Sequence, residues 1–355
     1  MESLGLNPSF WKDKTVFLTG HTGFKGGWIA HWLYEVGAAV HGYSLEPPTQ
    51  PNLFTEMNLQ NRLARSNIGD IRDLAALTNA LKQAKPDIII HMAAQPLVRE
   101  SYNTPVETFA ANVMGTVNLL EAARQVGTAK AIVNITTDKC YHNKEWLWPY
   151  RENDRLGGHD PYSASKACAE IAAAAYRNSF LADTNIHLAS ARAGNVIGGG
   201  DWAIDRLIPD FLRALDAGET LKIRSPNAIR PWQHVLEPLS GYLSIAEKLY
   251  TEGSAFAEAW NFGPNEEDAK SVGWIVKQLC AQIPGARCET ENARQPHEAG
   301  LLKLDSSKSK ANLGWTPRWN LETALRKTIE WHQAWRNRED MSAVTSEQIQ
   351  AYTVS

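Results

Sequence analysis

Three residues of this chain have types and spacing suited to moving a proton on and off a hydroxyl group. Tyr162 and Lys166, in the string PYSASKACAE, lie four residues apart, and Asp138, in ITTDKCY, lies 24 residues upstream of the tyrosine. Four residues is about one helical turn, so on a helix the two side chains share a face, with Cβ atoms roughly 5–6 Å apart. An ammonium held beside a phenol favours the phenolate and draws its pKa down from about 10, giving a base for a sugar or alcohol hydroxyl. Alone the pair carries little weight, because Tyr and Lys at this spacing also occur on solvated helix faces. The rest of the chain adds the weight.

The elements that would position such a group are legible around it. Residues 20–26 read GHTGFKG, a G-x-x-G-x-x-G run that follows the apolar stretch TVFLT (15–19) and precedes WIAHWLYEV (28–36). Strand, glycine turn and helix in that order make a dinucleotide site. Gly20 permits the tight turn, Gly23 lets the backbone approach a pyrophosphate, and Gly26 allows close helix–strand packing. The helix N-terminus adds unpaired N–H groups and a partial positive charge.

Further strand-like stretches are AAVHGYSL (38–45), SNIGD (66–70), PDIIIHMAA (86–94), AKAIVNITTD (129–138) and NIHLASARAGNVIG (185–198). Helix-like stretches at 71–84, 104–127 and from Pro161 separate them. This alternation predicts an α/β protein with a Rossmann-type doubly wound parallel sheet covered on both faces. Ligands of such folds sit beyond the carboxyl ends of the strands. Ala93 and Ala94 close one strand there, and Thr136, Thr137 and Asp138 close another.

After about residue 198 the pattern loosens into loops rich in Gly, Pro, Trp and charge, and 141–160 reads as a long functional loop. The expected organisation is a dinucleotide-binding domain over 1–198, to which the chain later returns, and a smaller substrate-binding lobe over 199–335. A polar tail over 336–355 is expected to fray.

Composition narrows the function. A net charge of −3 argues against nucleic acid as a main partner. Four cysteines (Cys140, Cys168, Cys280, Cys288) without paired spacing predict neither a metal site nor a disulfide framework. The opening MESLGLNPSFWKDK has no apolar core behind a basic start, and no apolar run approaches about 18 residues, so neither a signal peptide nor a membrane span is expected. The expected location is the cytoplasm. Most of the thirteen tryptophans are expected in the core or at interfaces.

GHTGFKG, TTDKCY, YSASK and RAGNVIGGGDW together resemble the extended short-chain dehydrogenase/reductase family, in its nucleotide-sugar branch. The loop 136–170, RPWQHVLEP (230–238) and HEAGLLKLDSSKSK (297–310) resemble the CDP-glucose 4,6-dehydratase group within it. The resemblance implies tightly bound NAD, a CDP-glucose substrate and a homodimer or homotetramer. It implies that Tyr162 deprotonates the 4-hydroxyl as hydride leaves C4 for the nicotinamide. Water is then lost across C5–C6, and the hydride returns to C6, giving a 4-keto-6-deoxy sugar of deoxysugar and lipopolysaccharide-type biosynthesis.

Each residue role below is implied in the same way. Lys166 lowers the tyrosine pKa, Thr137 holds the 4-hydroxyl and Asp138 protonates the departing 6-hydroxyl. Lys139 stands where many relatives carry a glutamate base, and serves as the C5 base or as an enolate stabiliser. The cofactor would be held by Gly20, Thr22, Gly23, Phe24, Lys25, Gly26, Ser44, Asp70, Ile71, Ala93, Ala94 and Asn112, besides Tyr162 and Lys166. Ser44 occupies the position where NAD enzymes commonly carry an acidic residue, Glu46 follows, and no arginine is close enough in sequence for a 2′-phosphate clamp, which favours NAD over NADP. Gln95, Arg99, Asn195, Arg206, Arg230 and Glu298 would line the nucleotide-sugar site. Two other readings are a nucleotide-sugar 4-epimerase, or a dehydratase for another nucleotide hexose, and a non-catalytic dinucleotide sensor.

Overall fold

The computed structural model describes residues 7–291 and 299–355. Its frame is a sheet of seven strands: β1 (Thr15–Thr19), β2 (Ala39–Ser44), β3 (Arg65–Ile68), β4 (Ile88–His91), β5 (Ala131–Ile135), β6 (His187–Ala193) and β10 (Ala259–Phe262). All pair in parallel, in the order β10-β6-β5-β4-β1-β2-β3. The chain winds outward from β1 through β2 and β3, then crosses over and winds the other way from β4. That reversal opens a crevice at the carboxyl ends of β1 and β4, the place where doubly wound sheets bind ligands.

The strands are nearly continuous apolar runs because helices cover both faces. Val16, Leu18, Ile88, Ile90, Val133 and Ile135 pack on helices α1 (Phe24–Glu35) and α6 (Leu236–Glu252). The alternate residues Phe17, Ile89 and Ile132 point the other way, toward α2 (Leu74–Ala84), α3 (Gly115–Val126) and α4 (Pro161–Tyr176).

Two smaller sheets stand beside this frame. In one, β9 (Ile229–His234) lies between parallel β7 (Asn195–Ile197) and antiparallel β11 (Ala269–Ser271); in the other, β8 (Thr220–Ile223) pairs with β12 (Arg287–Thr290). With α5 (Leu207–Ala217), α7 (Val272–Gln282) and α8 (Leu321–Arg336) they enclose a separate core around Phe211, Trp232, Ile275 and Leu325.

Three expectations need correction. The stretch 185–198 is two strands in two sheets, broken at Gly194, where a Cβ would lie 2.4 Å from the Pro231 ring. The helical run 104–127 carries a π turn at Ala110–Met114 just before α3. Residues 336–355 form no frayed tail, because helix α9 (Met341–Thr353) fills most of them, capped by the Asp340 carboxylate. Its buried positions 341, 342, 345, 348, 349 and 352 make one helical stripe, of which three are Ser, Thr and Gln, so composition hid it. Tyr352 packs against Trp32 and Trp319, and its hydroxyl donates to Glu237 at 2.8 Å. Among the described residues no helix is long and apolar enough to cross a membrane.

Candidate active site

The glycine-rich loop is built too tightly for side chains. Gly20 has φ +81°, and a Cβ there would come within 2.8 Å of the Ala93 nitrogen; a Cβ on Gly26 would lie 1.9 Å from the Gly20 carbonyl oxygen. Gly23 begins α1 with no side-chain cap, so first-turn N–H groups are left for another acceptor. Thr22 fixes the loop to the end of β2: its hydroxyl lies 2.7 Å from that of Ser44 and donates to the Leu45 carbonyl at 2.9 Å. The Met92 and Ala93 N–H groups donate to Thr19 Oγ1 at 3.1 Å, which brings the start of the Ala93–Ala94 turn beside Gly20. Beyond β3, the Asp70 carboxylate is held by Arg72, and Ile71 packs where Gly115 leaves space. His91 is wedged between Thr19 (2.7 Å) and Thr116 (3.2 Å), and burial drives its pKa down to about 3. It is a packing residue.

Helix α4 presents Tyr162, Lys166 and Glu170 on one buried face. Pro161 at its first turn and the Asp160 cap, which accepts from the Ser163 N–H at 2.9 Å, fix where it starts. Burial pushes the Tyr162 pKa up to about 12, opposed by a hydrogen bond with Thr137 and by the charge of Arg206. This reverses the expectation that Lys166 would draw it below 10. Lys166 instead donates to the Ile135 carbonyl at 3.1 Å, and burial lowers its own pKa to about 8.

Asp138 does not end β5 directly. It opens a single 3₁₀ turn (Asp138–Cys140) three residues beyond the strand and is fully buried. Thr137 Oγ1 donates to its Oδ1 at 3.0 Å, and the Lys139 ammonium lies 3.8 Å from the same oxygen. Its Oδ2 is buried without a hydrogen-bond partner among the described residues.

The residues expected to line the sugar site divide. The Gln95 amide turns into the protein, donating to Leu97 and Thr108 and accepting from the Leu97 N–H, so it shapes the loop after β4 and is not presented to a ligand. Asn112, expected at the cofactor, also turns inward: both its amide hydrogens are used, on the Gln95 carbonyl at 3.0 Å and Ser165 at 2.9 Å, which ties that loop to α4. Arg206 pairs with Asp201 at 2.9 Å while its charge reaches Tyr162. Arg99 reaches Asp205 at 3.5 Å, and Arg230 is buried on β9. Asn195 Oδ1 is buried without a partner among the described residues. Glu298 lies outside the described residues.

Sequence reasoning missed two features. The first is a buried ion pair: Glu170 takes both guanidinium contacts of Arg192 at 2.9 Å, Thr136 donates to Glu170, and Arg192 continues through Tyr141 to Asn261. The four-residue spacing Tyr162, Lys166, Glu170 was the available signal. The second is Tyr242 on α6, fully buried, its hydroxyl unpartnered among the described residues. Lys25 lies over its ring at 5.9 Å. No local pattern marks Tyr242, because α6 reaches the site only through the fold.

Comparison with known proteins places this geometry. The sequence profile of the GDP-mannose 4,6 dehydratase family matches residues 17–328. The CDP-glucose 4,6-dehydratase of Salmonella typhimurium strain LT2 is 55% identical over 353 residues, covering 98% of each chain. The chain belongs to the GDP-mannose 4,6 dehydratase family. The dTDP-glucose 4,6-dehydratase of the same Salmonella strain is 29% identical, covering 90% of this chain and 92% of that one. DesIV, a dTDP-glucose 4,6-dehydratase from Streptomyces venezuelae solved with NAD and TYD bound, superposes with a TM-score of 0.74 at 26% identity, covering 92% of this chain and 99% of DesIV. As a member of the family this chain is a hydro-lyase on a short-chain dehydrogenase/reductase frame. The loop suits a dinucleotide: glycine at 20 and 26 lets it close tightly on Ala93 and on the start of α1, and the uncapped start of α1 offers its N–H groups to a phosphate.

Proposed function

We propose that this dehydratase converts CDP-D-glucose into CDP-4-dehydro-6-deoxy-D-glucose and water with tightly bound NAD, in deoxysugar biosynthesis. The observation that carries the chemistry is the convergence of Tyr162, Thr137 and Asp138 at the strand ends, with Asp138 Oδ2 buried and unpartnered. Gly20, Gly23 and Gly26, with Thr22 and Ser44, would hold NAD. When bound, it supplies a two-electron acceptor that is restored within each turnover, so the sugar undergoes no net oxidation.

The protein's own groups perform the proton transfers. Tyr162 takes the 4-hydroxyl proton, with Thr137 sharing its hydrogen bond and the charge of Arg206 offsetting the cost of a buried phenolate. Lys166 has two ammonium protons beyond the one given to Ile135. With a carbonyl at C4 the C5–H becomes acidic, and Lys139 acts there as base or as enolate stabiliser. Asp138 gives its proton to the departing 6-hydroxyl. An epimerase has no use for an acid at C6, so this carboxyl favours dehydration. Asn195, Arg206 and Arg230 are assigned to the nucleotide diphosphate and Asp138 to the sugar.

A homodimer in the cytoplasm completes the reading. Val106, Phe109 and Met114, on the run leading into α3, and Ile171 and Phe180, on and after α4, are exposed apolar side chains of adjoining helices, as a helical dimer face requires. The test is mass spectrometry of CDP-, GDP-, UDP- and dTDP-hexoses incubated with the enzyme. Loss of one water from CDP-glucose is expected. A faster loss from another nucleotide would move the specificity, and no water loss from any would defeat the dehydratase reading.

A further inference from the structure

Cys280 and Cys288 are eight residues apart, a spacing that marks no pair in the sequence, yet the fold brings their sulfurs to 3.9 Å. The chain between them does this. Helix α7 ends at Gln282, and the chain turns back through Pro284 and Gly285, where Gly285 takes φ +85°. Strand β12 leaves that turn beside α7, pairs in parallel with β8, and is held further by Arg287, which donates to the Gly218 carbonyl at 2.8 Å. Cys280 thus stands on the last turn of the helix, partly packed on the core of the smaller lobe. Cys288 is exposed on the strand. Cys140 is buried and Cys168 exposed, and neither meets another thiol among the described residues.

We propose that Cys280 and Cys288 are an oxidisable dithiol that a peroxide closes into a disulfide, fastening β12 to α7. The exposed Cys288 sulfur attacks the peroxide; the O–O bond breaks, a sulfenic acid forms on Cys288, and the other oxygen leaves protonated. The Cys280 sulfur then displaces that hydroxyl, which departs as water with the Cys280 proton. The two thiols lose two electrons and two protons, and the peroxide takes up both. The order follows from the surroundings. Burial, together with the neighbouring Cys288 thiol, pushes the Cys280 pKa up to about 11, which leaves little thiolate there for the first step. Closing the pair brings the sulfurs from 3.9 Å to about 2 Å, a movement that χ1 rotation at an exposed strand position supplies. Without an oxidant both stay thiols, as a reducing compartment keeps them.

The test takes the full chain, reduced and freed of reductant, through hydrogen peroxide, alkylation and tryptic digestion. Cleavage after Lys277, Arg287 and Arg294 puts the two cysteines in separate segments, 278–287 and 288–294, so a disulfide is needed to hold them together. The expected result is joint loss of alkylation at Cys280 and Cys288 and recovery of the linked segments, in a yield that dilution of the enzyme leaves unchanged. Dithiothreitol should return both thiols. Cys280→Ser removes the resolving thiol, so Cys288 should pass on to the sulfinic acid, which dithiothreitol does not reduce. Cys288→Ser should leave Cys280 as open to alkylation after peroxide as before it. Four results would each overturn the proposal: both wild-type thiols still alkylated, Cys288 recovered as sulfinic acid with 278–287 unlinked, a link between two copies of 288–294 that dilution abolishes, or Cys280 in Cys288→Ser oxidised as fast as in wild type. None of these readouts depends on turnover, so they leave the dehydratase reading untouched.

Discussion

Along the C-terminal part of the buried face of α4, Glu170 and Arg192 are almost fully buried, and their network runs without a break through Thr136, Tyr141 and Asn261. Near the N-terminal end of the same face, Asp138 Oδ2 and the Tyr242 hydroxyl are equally buried and have no partner among the described residues. Buried polar groups in native proteins are nearly always hydrogen-bonded, so the first cluster needs no ligand to account for it and the second does. The same helix therefore anchors the strand ends with a satisfied ion pair and presents Tyr162 and Lys166 beside unsatisfied oxygens.

The largest effect that would sharpen this contrast lies on the chemical side. Tyr162→Phe is expected to lower kcat by about 10²–10⁴-fold with KM nearly unchanged, because the hydroxyl acts in the transition state. Steady-state kinetics check it, and an unaffected kcat removes the tyrosine from the reaction. On the scaffold side, Arg192→Met leaves the Glu170 carboxylate buried and unpaired, which costs about 3–5 kcal/mol of folding stability. Urea unfolding measures that loss, and a change near zero would show that the pair is no anchor.

Lys139→Ala should slow elimination while sparing the first oxidation, so that NADH and a 4-keto-hexose accumulate on the enzyme. Stopped-flow absorbance and solvent-deuterium exchange at C5 follow both, and wild-type exchange would remove Lys139 from either role. The smallest effect concerns pH. His21, His91 and His234 are held neutral by burial, with pKa values near 4, 3 and 3 against 6.5 unfolded. The unfolded chain therefore binds protons first as pH falls, and stability present above pH 6.5 is lost below it. At pH 5 the loss is about 2 kcal/mol for each histidine. Replacing His91 by Gln should flatten the acid limb of a stability–pH curve, and an unchanged limb would refute the assignment.

The local parts of the site were legible in the sequence because their physics is local. Glycines at 20 and 26 next to an apolar strand specify a turn that no side chain fits, and Tyr162 and Lys166 share a face on any helix. What depended on three dimensions was not. Gln95 and Asn112 follow the right elements, but their amides close on each other's segment and on Ser165. The rise in the Tyr162 pKa could not be read from a four-residue spacing, because it comes from burial against distant segments. Tyr242 lies 80 residues beyond Tyr162 and joins the site only because α6 covers the sheet face under Asp138.

The most direct test of the central claim is to give the enzyme CDP-glucose deuterated at C4 and locate the label in the product. The account predicts a CDP-sugar lighter by one water, with deuterium transferred to C6 and no dependence on added NAD in stoichiometric amount. A product that has lost no water, or one whose deuterium has passed to solvent or to added cofactor, would contradict it.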